Sequence, residues 1–189
     1  MRAAVLMTVI WAACIVAGLV VLWDYGARPG EAGPGPTSWP VDSRNSSGQA
    51  WDLVMFVHPH CPCTHASLQE LSHIVANAPA RVSVRVFAFQ PVNAPADWGG
   101  SRLTNAIRQI PGVRIEMDEG GKMATLFGVH ASGHTMLFAR DGRQVYSGGI
   151  TLSRGHEGAN HGRLAIEKLI AGSPGSRIQP IPVFGCRIR

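Results

Sequence analysis

The chain has 189 residues and a formal net charge of +5 at pH 7, a length that suffices for one ordinary domain with a hydrophobic core. Nearly all of the positive charge comes from arginine, because Lys122 and Lys168 are the only lysines. The arginines are scattered and do not alternate with aromatic residues. A nucleic-acid interface needs a clustered basic surface, so we expect no nucleic-acid partner.

An uncharged apolar segment begins the sequence. Residues 3–23 contain no charged side chain, and a helix of this length crosses a bilayer hydrocarbon core of about 30 Å. A cleaved signal peptide is the alternative, but its apolar region is usually only about 7–15 residues long. We therefore expect residues 1–23 to form a single-pass anchor in the inner (cytoplasmic) membrane. Arg2 favours a cytoplasmic N-terminus and a soluble domain facing the periplasm or exterior.

The segment after the anchor predicts no secondary structure. Residues 24–48 are rich in Gly, Pro and Ser, include Gly-Pro-Gly-Pro, and show no apolar period. This composition is typical of a flexible linker. We expect one folded domain over residues 49–172 and an irregular tail over residues 173–189.

The first half of the domain predicts a strand, a helix and a second strand. Leu53 to Val57 is a short apolar run typical of a buried strand. The helical pattern that follows ends at Pro79 and begins either near the cysteines or at Ser67, which has capping-box spacing to Glu70. Residues 81–90 alternate as in a strand with two distinct faces. Two strands joined through a helix in this way are parallel, with a right-handed crossover.

The second half predicts two more helices, a short strand, a helical turn and a β-hairpin. Ser101 is a suitable helix N-cap, and Asp141-Gly142 is a strong hairpin signal. In chain order these elements are a helix with Leu103, Ala106, Ile107 and Ile110 facing inward, a strand over 113–117, a turn over 123–128, hairpin strands over 135–139 and 144–147, and a last helix formed by Leu164, Ile166, Leu169 and Ile170.

The motif that bears chemistry is His58-Pro59-His60-Cys61-Pro62-Cys63-Thr64-His65, between the first strand and the first helix of the domain. A helix N-terminus carries about half a positive charge and unpaired N–H groups, and both favour a thiolate. Of the other cysteines, Cys14 lies in the apolar segment, where it is one more small apolar side chain. Cys186 lies in the tail. An odd number of thiols outside the cytoplasm implies one disulfide plus a free thiol, or a pairing that changes during function.

Cys61 and Cys63 are the candidate catalytic residues. A disulfide across one intervening residue is strained and therefore readily reduced, whereas as a permanent cross-link it would stabilise the fold little. In this interpretation Cys61 attacks and Cys63 resolves the mixed disulfide, and Cys186 is an alternative resolving thiol if the tail folds back. The motif also contains histidines that would stabilise a thiolate when protonated, namely His58, His60 and His65.

The order of elements, with paired cysteines after the first buried strand and a hairpin before a closing helix, resembles the thioredoxin fold. The patterns Leu126-Phe127-Gly128-Val129 and Thr135-Met136-Leu137-Phe138 strengthen the resemblance. It implies an α/β fold with a central mixed β-sheet flanked by helices, and thiol–disulfide oxidoreductase activity on protein or small-molecule thiols and disulfides. More narrowly, residues 58–63, 148–158 and 182–186 resemble the RedB-type membrane-anchored thioredoxin-like proteins.

Two positions depart from the thioredoxin pattern. Thioredoxins have Cys-x-x-Cys, and aligning Cys63 with their second cysteine puts His60 where their nucleophile stands. His134-Thr135 stands where thioredoxins have a cis-proline followed by a threonine, facing the disulfide. His134 and Thr135 are therefore further candidate site residues, and the resemblance does not extend to the thioredoxin mode of peptide binding.

Metal binding is the alternative from another functional class. Soft thiolates combined with imidazoles suit Cu(I) and Zn(II), so the sequence also permits a copper site. The chain would then be an extracytoplasmic copper chaperone of thioredoxin fold, and a non-catalytic adaptor is a third option. Disulfide exchange itself predicts no cofactor. The ligands of the copper alternative are Cys61, Cys63, His60 and His134.

Overall fold

A computed structural model of the chain describes residues 1–40, 51–78, 82–172 and 181–188. Some expected features lie outside the described residues. These are Pro79 as the end of a helix, residue 81 as the start of a strand, the part of the linker after residue 40, and most of the first half of the tail.

The described part of the chain contains five helices and five strands. In chain order they are α1 (Arg2–Ala27), β1 (Trp51–Val57), α2 (Thr64–Asn77), β2 (Val82–Gln90), α3 (Arg102–Arg108), β3 (Val113–Glu119), α4 (Lys122–Leu126), β4 (His134–Ala139), β5 (Gln144–Gly148) and α5 (His161–Ile170). A single 3-10 turn, Trp98–Gly100, precedes α3. Every element predicted over these residues is present.

The strands form one mixed sheet in the order β3-β2-β1-β4-β5. The β1–β2 and β2–β3 pairs are parallel, whereas the β1–β4 and β4–β5 pairs are antiparallel. The predicted parallel strand–helix–strand unit and the hairpin are therefore both confirmed. β1 lies in the centre of the sheet, so the turn that follows it emerges between β2 and β4.

Each face of the sheet is covered by its own hydrophobic core. Val82, Val84, Val86 and Ala88 of β2 face the larger core with the apolar sides of α2, α3 and α5. Phe87 faces the smaller core with α4 and Phe127. The alternation predicted for β2 is thus confirmed, because neighbouring residues of a strand point to opposite faces of the sheet.

The start of α3 agrees with the predicted cap, and the start of α2 agrees with one of its two predicted positions. The Ser101 hydroxyl accepts a hydrogen bond of 3.2 Å from the backbone N–H of Thr104, as expected for an N-cap. α2 begins at Thr64, and Ser67 with Glu70 does not cap it.

Glu70 instead joins α2 to the loop before α5. Its carboxylate is 2% exposed and forms an ion pair with Arg163, with 2.7 Å between Nε of Arg163 and Oε2 of Glu70. It also accepts hydrogen bonds from the backbone N–H of Gly158 at 2.7 Å and from the Asn160 amide at 3.1 Å. A buried carboxylate needs such partners, because a charge without them is strongly destabilising.

α1 is long and apolar enough to span a membrane, and none of its side chains is buried. It continues to Ala27, four residues beyond the expected anchor end. Residues 28–40, expected to be part of a flexible linker, lie against the domain. Gly30 donates a hydrogen bond of 2.6 Å to the Val183 carbonyl, and Trp39 packs edge-on against Phe127 and Phe138. The division into anchor, linker, domain and tail otherwise stays a prediction.

Candidate active site

The cysteine motif forms a tight turn between the end of β1 and the start of α2. The Cys61 N–H donates to the His58 carbonyl at 3.0 Å, and the Thr64 N–H donates to the Cys61 carbonyl at 3.2 Å. Cys63 occupies the N-cap position of α2. The predicted location of the thiols, where a buried strand meets a helix, is confirmed.

A third cysteine joins this pair. The sulfur atoms of Cys61, Cys63 and Cys186 all lie within 4.8 Å of one another, and we call them the three-cysteine cluster. Cys61 is 3% exposed, whereas Cys63 and Cys186 are half-buried. The sequence left open whether the tail folds back to the motif, and in the structure it does.

Ser132, in the loop before β4, links the tail to the cysteine turn. Its backbone N–H donates to the Cys186 carbonyl at 2.8 Å. Its hydroxyl accepts from the His58 N–H at 2.8 Å and shares a hydrogen bond of 2.7 Å with the Thr64 hydroxyl. Sequence reasoning missed Ser132, because nothing in its local pattern indicates partners so far along the chain.

The environment favours the thiolate of Cys61. Burial acts to raise the pKa of Cys61, but hydrogen bonds from the Thr64 and Cys186 side chains and from the backbone of the same two residues outweigh it, so this pKa is lowered. Burial raises the pKa of Cys186 to about 12, and the hydrogen bond with Cys61 and the negative charges of Cys61 and Cys63 add to the effect. Arg154 opposes that rise. Within the pair, ionisation is therefore favoured at Cys61 over Cys186.

The motif histidines lie beside the cluster and do not join it. The ring of His58 stacks on Phe89 at 5.6 Å between centroids, and His60 packs edge-on against Trp98 at 4.5 Å. Burial, and then the charge of His60, lower the pKa of His58. This shift works against the protonated form of His58 that would stabilise a thiolate. His65 is exposed on the first turn of α2.

His134 and Thr135 are buried in β4. Nε2 of His134 lies 2.8 Å from the Ser147 hydroxyl, and its Nδ1 has no hydrogen-bond partner. The Thr135 hydroxyl donates to the Gly133 carbonyl at 3.2 Å. Burial, with a smaller effect of His130, lowers the pKa of His134 to about 4. His134 also lines a cavity of about 260 Å³ together with Ala32 and Tyr146.

The set of candidate metal ligands differs from the one that the sequence predicted. Within the described ranges, the His, Cys, Asp and Glu side chains close enough together to hold one ion are those of Cys61, Cys63 and Cys186. His60 and His134 are not part of this group. Three thiolates suit a soft ion such as Cu(I), so the chemistry of the cluster is compatible with copper, which stays a prediction.

Replacing Thr64 with Val removes one hydrogen bond to the Cys61 sulfur, so the pKa of Cys61 should rise. The ultraviolet absorbance of thiolate, followed against pH in a Cys14→Ser background, measures it. The control is Thr125→Val, which removes a hydroxyl that bonds the Gly121 carbonyl in α4 and should leave the titration unchanged. An unaltered titration in Thr64→Val would contradict this account of the thiolate.

Because His134 is buried, we expect the folded protein to lose stability in acid. Its folded-state pKa is lowered from 6.5 to about 4, so between these values the unfolded chain binds a proton that the folded chain rejects. The contribution of His134 to the free energy of unfolding is therefore complete above pH 6.5 and is lost as the pH falls from 6.5 to about 4. We expect a loss of about 3 kcal/mol in the free energy of unfolding. Chemical denaturation at several pH values across this range should measure the decrease. The variant His134→Gln should not show the decrease, whereas the control His73→Gln, at an exposed site, should show it in full.

Comparison with known proteins supports the fold. No protein-family model matches the chain, and no curated protein matches it. Solved structures do match. An uncharacterised conserved protein from Geobacillus kaustophilus has a TM-score of 0.61 and 20% identity, covering 86% of this chain and 92% of its own. A candidate thioredoxin from Neisseria meningitidis has a TM-score of 0.50 and 16% identity, covering 76% and 93%.

A secreted Mycobacterium tuberculosis disulfide oxidoreductase homologous to Escherichia coli DsbE also matches, with a TM-score of 0.47 and 19% identity, covering 67% of this chain and 85% of its own. At these identities a structural likeness concerns the fold. The mixed five-stranded sheet with flanking helices, the cysteine turn after β1 and the structural neighbours together show that the chain has a thioredoxin-like fold.

Proposed function

We propose that the chain is a membrane-anchored thiol–disulfide oxidoreductase that acts through the three-cysteine cluster. The observation that carries this proposal is the position of three sulfur atoms within 4.8 Å of one another, around a Cys61 thiol whose pKa is lowered. A thiolate attacks disulfides, and a thiol of low pKa also leaves readily when a disulfide is cleaved. Both properties serve disulfide exchange.

Burial determines which sulfur meets the substrate. Cys61 is 3% exposed, so a substrate reaches the half-buried Cys63 or Cys186 first. The proposed roles therefore differ from the sequence-based expectation that Cys61 attacks and Cys63 resolves. In this proposal Cys63 or Cys186 forms the mixed disulfide with the substrate, and Cys61 is the internal thiolate that forms or leaves the protein disulfide.

The proposed exchange has two steps, and in each step one S–S bond forms and another breaks. In the oxidising direction a substrate thiolate attacks the accessible sulfur of the internal disulfide, the S–S bond breaks, and the electron pair leaves on Cys61. A second substrate thiolate attacks the substrate sulfur of the mixed disulfide. The substrate becomes a disulfide, and the second cysteine leaves as a thiolate and takes up a proton. Two electrons pass to the protein, and the reverse sequence reduces a substrate disulfide.

A group of rings borders the site on the side of β2. It consists of His58, His60, Phe89 and Trp98, and the Trp98 indole N–H donates to the Phe89 carbonyl at 2.9 Å. We propose that this group, which we call the aromatic wall, contacts the substrate next to the reacting sulfur. Apolar and aromatic surfaces of this kind provide contact area with little loss of side-chain entropy. Protein or small-molecule thiols and disulfides are the proposed substrates.

The proposed location follows from α1. The helix is apolar enough to span a bilayer, and Arg2 precedes the uncharged segment, which favours a domain outside the cytoplasm. Disulfides persist in such compartments. Under this proposal the chain is a single-pass protein of the inner membrane with its domain in the periplasm or exterior. The narrower resemblance to RedB-type proteins agrees with this arrangement and stays a prediction.

Copper binding is the second candidate, and the third sulfur atom is the observation that favours it. Three thiolates within 4.8 Å could hold Cu(I) without any histidine, in place of the mixed ligand set expected from the sequence. Disulfide exchange remains the better-supported function, because one thiol that ionises more readily than its neighbour suits exchange, whereas a copper site needs all its cysteines ionised.

Turnover of a disulfide substrate tests the proposal. We expect the full chain in detergent to reduce a fluorogenic disulfide peptide with dithiothreitol as the electron donor. Cys61→Ser should reduce the rate to that of dithiothreitol alone, because no internal disulfide can then use the stabilised thiolate. Cys14→Ser is the matched control and should retain the full rate.

Two outcomes would contradict disulfide exchange. Unchanged turnover in the Cys61→Ser, Cys63→Ser double variant would remove the cysteines of the motif from the reaction. Stoichiometric Cu(I) binding by the reduced chain, lost in Cys61→Ser and accompanied by no turnover in the wild-type chain, would instead support the copper chaperone.

A further inference from the structure

Cys61 has two neighbouring thiols with which it could form a disulfide. Cys63 is separated from it by Pro62 alone, and a disulfide in so small a ring is held away from its preferred dihedral angle. Proline restricts the backbone between the two cysteines further. Cys186 comes from the far end of the domain, so a bond to it has no such ring constraint.

Cys186 already contacts the Cys61 sulfur. The two sulfur atoms lie within 4.8 Å of each other, and a hydrogen bond between the side chains contributes to the opposite pKa shifts of the two thiols. Conversion of this pair to a disulfide requires the two sulfurs to approach from within 4.8 Å to about 2.05 Å. The backbone of Cys186 is also in place, since its carbonyl accepts from the Ser132 N–H at 2.8 Å.

A hydrogen bond, buried side chains and a close backbone contact hold the tail, and with it Cys186, at this position. Ile188 donates to the His130 carbonyl at 2.9 Å, and Val183 and Ile188 are 1% and 2% exposed. Gly185 lies so close to the loop before β4 that a Cβ atom there would be 1.8 Å from the Ser132 carbonyl oxygen. A larger residue would push the tail, and Cys186 with it, away from the cluster.

We propose that Cys61 and Cys186 form the internal disulfide of this domain, and that it joins the start of α2 to the C-terminal tail. This inference rests on the proposed function and specifies its internal partner. Cys63 then stays a thiol in the stable oxidised form. The redox state of the domain is thereby coupled to the attachment of the tail.

Oxidation of a substrate dithiol by the Cys61–Cys186 disulfide takes two steps. A substrate thiolate attacks the Cys186 sulfur, which is more exposed than that of Cys61, and the electron pair of the S–S bond leaves on Cys61. A second thiolate of the substrate then displaces Cys186, which takes up one proton from water. The substrate dithiol loses two electrons and becomes a disulfide, and the protein disulfide gains them and becomes one thiolate and one thiol.

A disulfide between these residues should also stabilise the domain. It closes a loop that includes nearly the whole folded domain, and a long loop loses more entropy in the unfolded chain than a short one. Oxidation should therefore raise the melting temperature of the chain. A disulfide between Cys61 and Cys63 would have little effect on it.

Disulfide mapping distinguishes the two pairings. The full chain carrying Cys14→Ser is oxidised in detergent with oxidised glutathione, alkylated and digested with trypsin. Cleavage at arginine places Cys61 and Cys63 together in the peptide 45–81 and Cys186 in the peptide 178–187. We expect these two peptides to be cross-linked, with the alkyl group on Cys63. An intact 45–81 peptide with an internal disulfide and alkylated Cys186, or no disulfide at all, would overturn the proposal.

Matched serine variants give a second measurement. Cys63→Ser should retain the cross-link and the rise in melting temperature on oxidation, whereas Cys186→Ser should lose both. If Cys61→Ser abolishes turnover but the oxidised chain contains the Cys61–Cys63 disulfide, this inference fails and the proposed function stands. If Cys61→Ser leaves turnover unchanged, the proposed function itself fails.

Discussion

Ser132 joins the two distant segments that carry the cysteines of the site. Through its hydroxyl it bonds the His58 N–H and the Thr64 hydroxyl in the cysteine turn, and through its N–H it bonds the Cys186 carbonyl in the tail. It is fully buried, so these hydrogen bonds have no competition from water and a lost partner would leave a buried polar group unpaired. The geometry of the three-cysteine cluster depends on this connection.

The same hydrogen bonds have an electrostatic consequence. Burial alone would oppose a charge on Cys61, but Thr64, positioned by Ser132, and Cys186, positioned by the tail, donate to its sulfur. Since these donors favour the charged form, the pKa of a nearly inaccessible thiol is nevertheless lowered. A stabilised thiolate makes a good leaving group, which is the property that an internal disulfide needs in order to pass oxidising equivalents to a substrate.

The sequence predicted those parts of the fold that depend on local patterns. The alternation in β2, the Ser101 cap of α3 and the Asp141-Gly142 hairpin are each determined by residues close in the chain, and all were confirmed. Residues 28–40 resembled a linker because their contacts with the domain, made by the backbone, the Trp39 ring and the Glu31 carboxylate, follow no apolar period.

The site was predictable only in part, for a related reason. The paired cysteines at a strand–helix junction are a local signal, and the structure places them there. The approach of Cys186 and the role of Ser132 depend on contacts between residues far apart in the chain, for which the sequence offers no periodicity. By contrast, His58 and His60, which belong to the motif, pack against Phe89 and Trp98 and are not part of the three-cysteine cluster. Closeness in sequence was therefore a poor guide to the members of this cluster.

The most direct test of the central claim is an equilibrium redox titration of the full chain against glutathione buffers, read by the mass added on alkylation of free thiols. If Cys61 is the thiolate on which the protein disulfide is made and broken, the chain should show one two-electron transition that disappears in Cys61→Ser. A Cys61→Ser chain that keeps the same transition at the same potential would contradict this account of the site.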